Sequence, residues 1–277
     1  MDRFQPRGGE LAVIGAAGKT GAAVVRALAG RPVRRVVHNA RHAGDRRVDL
    51  ETGEGLEAAL TGCRGVYFIA PNVHPDEPGL LRRTLDAAAR AGVHHVVYHS
   101  VAWPHTPAMP HHLDKAVCED MLRTHGGVQW TILQPCAYAE NFPTLLDGTA
   151  TALEVPYNPD APFTFVRLPD VAAAAARVLD EGADVHHGVT YELGAAEVSS
   201  IGQWARALPH EVTVRRIRVD EWADRYGGDL PRDARDRLIA MFDFYDRHGF
   251  VARSTGWEAL LARPPGRPAP GRAPAGR

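Results

Sequence analysis

Lysine is nearly missing from this 277-residue chain. Of its 32 basic residues only Lys19 and Lys115 are lysines, and the rest are arginines. Cysteine is scarce too: Cys63, Cys118 and Cys136 lie far apart with no CxxC pair. That spacing excludes a disulfide framework or a thiolate metal site and fits a reduced compartment. None of the four serines sits in the GxSxG elbow of an α/β serine hydrolase. No apolar run reaches the ~18 residues of a membrane span. The opening MDRFQPRGGE lacks the layout of a signal peptide, so no membrane contact and a cytoplasmic location are expected. A net charge of −1 leaves no excess of cations for a phosphate backbone, and no nucleic-acid partner is expected. His94, His95, His99, His105, His111 and His112 are dense, but there is no HExxH. Adjacent His94 and His95 point to opposite faces of a strand, so no metal is expected.

What is present is a globular composition, 45% hydrophobic and 23% charged, with a regular alternation of short elements. Leu11–Ile14 reads as a strand, followed by Gly15–Gly21, a helix through Leu28 and Ala29, and a second strand at Val33–Val37. The alternation continues with a helix at Leu56–Leu60, a strand at Val66–Ala70 and a helix over residues 80–92. It then runs through a strand at Val96–Ser100, a helix at Leu113–Leu122 and a strand from Trp130 toward Pro135. Apolar runs joined by helices predict a doubly wound α/β fold around a parallel sheet, with ligand at the carboxyl ends of the strands.

Residues 9–150 are expected to form the dinucleotide-binding core. Residues 151–262 are expected to add a last crossover and a small C-terminal substrate-binding region. In that second part a strand at Phe163–Val166, a helix capped by Asp170 and running to Leu179, and a strand at Val189–Leu193 are predicted. Helices are expected at Ser199–Leu208, Asp220–Tyr226 and Arg232–Tyr245. The Pro/Gly/Arg-rich tail, 263–277, is expected to be disordered.

The turn GAAGKTG is the first motif with chemistry in it. Gly15 closes the strand, Gly18 admits a pyrophosphate close to the backbone, and Gly21 lets helix and strand pack. Ala17, Lys19 and Thr20 complete the cradle at the helix N-terminus, whose dipole favours an anion. A phosphate-binding loop of the GxxxxGK[ST] type would need glycine where Val13 stands, so that reading fails. An enzyme preferring NAD carries an acid at the end of the second strand. Here His38, Asn39 and Arg41 occupy that position, with no acid before Asp45. Lys19, His38 and Arg41 could surround a 2′-phosphate, which favours NADP(H), with NAD(H) as the alternative. Asp49 and Leu50 suit the adenine edge, although Asp49 could equally cap its own loop.

A second constellation follows. The strand predicted at Val96–Ser100 delivers Ser100 at its carboxyl end, and His111 and Lys115 share one helical face four residues apart. Gln134-Pro135-Cys136-Ala137-Tyr138 and Asn141-Phe142 leave the next strand at the same edge. With FIAPN, AGVHHVVYHS, HHLDKAVCEDML, WTILQPCAYAENF, RLPDVAAAAARVL and YELG in this order, residues 9–250 resemble an atypical short-chain dehydrogenase/reductase of the NmrA-like, NAD(P)-binding type. The resemblance implies a Rossmann-type core with cofactor across Gly15–Gly21, His38–Arg41, Ala70, Pro71, Asn72, Lys115 and Pro135–Tyr138. Reducing members of the wider superfamily use a serine plus Tyr-x-x-x-Lys. Ser100 and Lys115 match that pattern, whereas His111 stands where the tyrosine would be.

The expected function is therefore an NADPH-dependent ketoreductase of a small aromatic or quinonoid substrate, with Ser100, His111 and Lys115 as candidate catalytic residues. His111 could act as acid, line the pocket or lie at the surface; water, Tyr138, Tyr98 or the substrate itself could supply the proton instead. Trp103, Tyr138, Asn141 and Phe142 are the candidate substrate contacts. The missing phenol also motivates an alternative reading, a silent NAD(P)-sensing regulator acting on a protein partner. A lesser alternative is an isomerase or epimerase with tightly held cofactor.

Overall fold

The computed structural model describes residues 9–253, 256–263 and 266. Strand β1 (Glu10–Ile14) is buried on both faces from Leu11 onward, as an interior parallel strand must be. Gly15 turns the chain in the left-handed region, φ +78°, where a Cβ would also lie 2.7 Å from the Ile69 side chain. Helix α1 (Lys19–Ala27) then runs back to β2 (Val33–Val37), and short β3 (Arg46–Arg47) extends the sheet. Helix α2 (Leu56–Leu60), β4 (Cys63–Phe68), α3 (Glu77–Arg90), β5 (His95–His99), α4 (Pro110–Thr124) and β6 (Gln129–Pro135) follow. Strand β4 begins earlier than the apolar run at Val66 suggests, because Cys63 and Gly65 already pair with Glu10 and Leu11.

Beyond β6 come β7 (Ala137–Tyr138), a 3-10 turn at Ala139–Asn141, α5 (Pro143–Leu146), β8 (Ala152–Val155) and β9 (Phe165–Val166). Helix α6 (Leu168–Glu181), α7 (Ala183–His186) and β10 (Val189–Leu193) form the last crossover. Helix α8 (Ile201–Arg206), β11 (Thr213–Arg216), α9 (Val219–Tyr226), α10 (Arg232–His248) and α11 (Gly256–Leu261) complete the described chain. The central sheet has seven parallel strands in the order β10-β6-β5-β4-β1-β2-β3. This is a Rossmann-like sheet. Its direction of winding reverses between β1 and β4, so the crevice for a ligand opens at the carboxyl ends of those two strands.

One sheet face, through Ala12, Val66, Tyr98 and Ile132, packs on α2, α3 and α4. The other, through Val13, Tyr67, Val97 and Leu133, shares one continuous core with α1, α6 and the aromatic side chains of the C-terminal region. Phe163, Phe165, Tyr245 and Phe250 stack and cross within that core at centroid spacings from 5.1 to 5.4 Å.

Asp170 does not cap α6. Arg167 holds the N-cap position, and Glu140, from the 3-10 turn, accepts the Leu168 N–H at 2.9 Å and pairs with Arg167. The Asp170 carboxylate instead receives Arg263 at 2.6 Å and the Gly266 N–H at 2.7 Å. The chain thus still packs at the start of the segment expected to be disordered, and residues 264–265 and 267–277 of that segment lie outside the described residues. No described helix is long and apolar enough to cross a membrane.

Candidate functional site

Gly15 and Gly21 are fixed by packing. A Cβ on Gly21 would sit 2.2 Å from the Gly15 carbonyl oxygen, which brings α1 hard against the turn. Gly18 differs: its Cβ would meet only the Gly15 oxygen, at 3.4 Å, so its other side is open. Gly18 is also the N-cap of α1, and no side chain caps it. The first-turn N–H groups of Lys19, Thr20 and Gly21 therefore face the crevice without a partner among the described residues, with the positive end of the dipole behind them. Ala17 and Lys19 are exposed at the rim, and the Lys19 ammonium reaches Asn141 Oδ1 at 3.1 Å, spanning the mouth of the crevice.

At the end of β2, His38, Asn39 and Arg41 are exposed. Asp45, the first acid after them, is committed to its own loop. Its carboxylate accepts the backbone N–H groups of Arg41 and His42 and pairs with Arg35 at 2.7 Å. The Arg41 backbone bond, then Arg35, hold it well below the usual carboxylate range. Asp49 is likewise occupied as a loop cap, accepting from the Glu51 and Thr52 N–H groups. Leu50 packs at the edge of the apolar core, its carbonyl held by Arg83. On the β4 side Ala70 is half-buried, Pro71 and Asn72 are exposed, and Val73 follows with φ +51°. A β-branched residue in that region is strained and fixes the loop's path beside the crevice.

Ser100, His111 and Lys115, the trio predicted from the sequence, face three different environments. Ser100 is buried, and its hydroxyl donates to Glu119 Oε1 at 2.6 Å. Glu119 also accepts from Gln134 at 2.7 Å and from Arg123 at 3.0 Å, so the serine is one strut of a closed polar cluster under α4. Lys115 pairs with Glu77 at 2.9 Å and lies 3.5 Å from the His99 carbonyl oxygen. The same Glu77 oxygen accepts the Tyr98 hydroxyl at 2.7 Å. His111 is held down to about 3, first by burial and then by His112, Lys115 and Arg237, so it is a neutral imidazole near pH 7. Its Nδ1 is buried without a partner among the described residues. Its surroundings thus oppose an imidazolium acid at His111.

On the other face of β5 a second polar group assembles. His99 Nδ1 meets the Tyr67 hydroxyl, and His99 Nε2 lies 3.1 Å from the Tyr138 hydroxyl. The Thr20 side chain, on the first turn of α1, stands beside that phenol. Pro135 ends β6, but the Cys136 thiol turns inward to Thr164 at 3.2 Å and to the Phe250 carbonyl, with burial pushing it up to about 11. The Cys136 side chain, expected at the cofactor, is a core group. Trp103, φ +54°, packs edge-on against Phe250 and Phe244 and so ties the β5–α4 loop to α10. Phe142 lies edge-on to Phe165 and Trp204, while Asn141 is exposed at the mouth.

A parallel sheet, a glycine turn and an uncapped helix at the switch point recur in many nucleotide-binding proteins. The match of a whole-family model decides which kind this is: the model of the NmrA-like family covers residues 8–259. The chain belongs to the NmrA-like family. Among solved structures this family member is similar to the NADPH-dependent quinone oxidoreductase QOR2 from Escherichia coli, complexed with NADPH. The two share 24% identity with a TM-score of 0.78, over 94% of this chain and 97% of that one. It is similar also to Citrobacter sp. triphenylmethane reductase complexed with NADP(H), at 21% identity and a TM-score of 0.78, over 94% and 97% of the two chains. A third is NmrA, a negative transcriptional regulator, in complex with NAD, at 21% identity and a TM-score of 0.72, over 92% and 91%. At such identities the likeness is one of fold. No curated protein matches the chain.

In this NmrA-like chain the crevice fits a dinucleotide. The open side of Gly18, the N–H groups of α1 and the basic side chains at the rim form an anion cradle that no side chain among the described residues fills. Sequence reasoning did not single out Glu77, Glu119 and Tyr67. One signal was available: Glu119 lies four residues after Lys115 on α4, so a carboxylate on the buried side of that helix was foreseeable. Among the described residues no three His, Cys, Asp or Glu side chains form a metal site.

Proposed function

We propose that this protein is an NADPH-dependent oxidoreductase that reduces a carbonyl or quinone group of a small aromatic molecule. The observation that carries the reading is the commitment of Asp45 to its own loop, beside an uncapped glycine turn with Lys19, His38 and Arg41 at the rim. No carboxylate is then left at the β2 end to hold ribose hydroxyls, and three basic side chains remain for a 2′-phosphate. Gly18 and the first turn of α1 would take the pyrophosphate, and the segment after β6 would lie along the nicotinamide half. The bound cofactor supplies the hydride; the protein orients the substrate and handles the proton. Trp103, packed edge-on against Phe244 of α10, and Phe142, packed edge-on against Trp204, are the aromatic side chains that would meet a flat substrate on that side. The quinone and triarylmethane reductases of like fold support this direction.

The test is a fluorescence titration of NADPH and NADH against wild type and Arg41→Ala, followed by turnover with quinones and aromatic ketones. NADPH should bind at least about 10-fold more tightly than NADH, and the Arg41 change should remove most of that preference. Equal affinities, unaffected by the substitution, would refute the cofactor assignment.

A second reading is a regulator that binds cofactor without turning it over. It is favoured by the engagement of both Ser100 and Lys115 with buried carboxylates. Tight NADPH binding with no oxidation across the substrate panel would decide for it.

A further inference from the structure

The sequence leaves the reaction without a phenol at the usual place, yet the fold brings one to the crevice from another strand. Tyr138 sits on β7, one step past the carboxyl end of β6, with its hydroxyl between His99 Nε2 and the first turn of α1 at Thr20. Behind His99 lies Tyr67, fully buried, whose hydroxyl meets only His99 Nδ1 among the described residues. A buried O–H left without an acceptor costs about 1–3 kcal/mol, whereas a phenol oxygen that accepts nothing costs far less. Tyr67 therefore donates to His99 Nδ1.

That single requirement sets the direction of the whole chain. Burial holds His99 down to about 3 and Tyr67 well above its ordinary value, so the imidazole is neutral and carries one proton. With Nδ1 accepting, that proton is on Nε2 and is donated to the Tyr138 oxygen. The Tyr138 hydrogen then cannot point back at His99 and is left for the crevice side, where Thr20 on the first turn of α1 stands. Burial, then Tyr67 and Glu140, holds the Tyr138 phenol above its ordinary range, so the hydrogen bond it accepts from His99 Nε2–H is what steadies a phenolate forming there.

The geometry points to Tyr138 as the proton donor of the reaction, with His99 and Tyr67 as positioning residues that orient its hydroxyl. This rests on the reductase reading above. As hydride reaches the substrate, the electron pair of its carbonyl or quinone bond moves to oxygen. The Tyr138 O–H bond breaks and a substrate O–H bond forms. The Tyr138 phenolate keeps the hydrogen bond from His99 Nε2–H and regains a proton from solvent, since its ring is only half-buried. Tyr138 thus stands in for the phenol that His111 replaces.

Two measurements test this. In the cofactor-free protein, histidine-ring nitrogen NMR should show His99 as the Nε2–H tautomer, and Tyr67→Phe should convert it to a mixture. A His99 proton on Nδ1 in the wild type would overturn the proposal without any reference to turnover. In kinetics, Tyr138→Phe should keep NADPH affinity within about 3-fold while kcat falls about 10²-fold with a naphthoquinone or aromatic ketone. Tyr67→Phe should lower kcat several-fold with KM unchanged. A Tyr138→Phe enzyme with kcat within 3-fold of an active wild type overturns the donor role alone. A wild type that oxidises no NADPH with any substrate overturns the reductase reading and the donor role together.

Discussion

A carboxylate with no exposure cannot be left bare, and Glu119 collects three donors from three elements: Ser100 after β5, Gln134 on β6 and Arg123 one turn further along α4. The serine hydroxyl is spent on that carboxylate. Replacing Ser100 by Ala removes one charge-assisted bond and leaves Glu119 under-satisfied, so stability should fall by about 1–3 kcal/mol while kcat changes less than about 3-fold. Urea denaturation and steady-state turnover of the same preparation check both numbers. A large loss of kcat at unchanged stability would return the serine to the reaction. Lys115 is governed in the same way by Glu77, which it shares with Tyr98. An ammonium so placed has donors left over, and ribose hydroxyls remain within its chemistry, which a planar guanidinium would match poorly.

The glycine turn separates two jobs at the scale of an element. Gly21 is required because α1 packs against the turn's own backbone; Gly18 is required only by what approaches from outside. Gly21→Ala should therefore destabilise the protein by more than about 2 kcal/mol, since the clash is with backbone and α1 must move. Gly18→Ala should leave the melting temperature within a few degrees, as its extended φ of −78° suits alanine, yet weaken NADPH binding at least about 10-fold. Parallel thermal melts and NADPH titrations of the two variants test the separation; equal effects on both readouts would contradict it. The same contrast explains what was legible beforehand. The unit β1–α1–β2 could be read because its apolar spacing and glycines lie within a few turns of one another. Strands β8 and β11 could not, being four residues long and partly polar. The sequence predicts the start of α6 at Asp170, which looks like a cap, whereas the carboxylate that caps the Leu168 N–H is Glu140, on a turn 28 residues before Leu168. Lys19, Lys115 and Tyr138 stood out by local pattern. Their partners Asn141, Glu77 and His99 act through pairings between distant segments, which no local pattern contains.

For the whole molecule, the feature that matters is that the fold holds four histidines in neutral form, three of them buried and His111 partly buried. His95, His99 and His111 are each held down to about 3, and His112 to about 4, in every case chiefly by burial. In the unfolded chain each would titrate near 6.5. Between those values the unfolded state binds protons that the folded state refuses, so falling pH stabilises unfolding. Their stabilisation is fully present above about pH 6.5 and is lost progressively as the pH drops toward 4. Once the unfolded histidines are charged, each contributes a slope of about 1.4 kcal/mol per pH unit. Four together amount to several kcal/mol per unit by pH 5, against a total stability of roughly 5–15 kcal/mol for a domain. The protein should accordingly unfold in mild acid, between about pH 6 and 4.5, before most carboxylates are protonated. Urea midpoints at pH 7.5, 6.5, 5.5 and 5 measure the slope. His111→Leu isolates the cause, because it deletes a buried Nδ1 that has no partner among the described residues and keeps a good helix former in α4. The variant should match or exceed wild type at pH 7.5 and should lose one histidine's share of the slope, leaving it more stable than wild type by about 1–2 kcal/mol at pH 5. Identical slopes in the two proteins would assign the acid sensitivity to other groups, and a flat wild-type profile would show that these imidazoles take up protons in place.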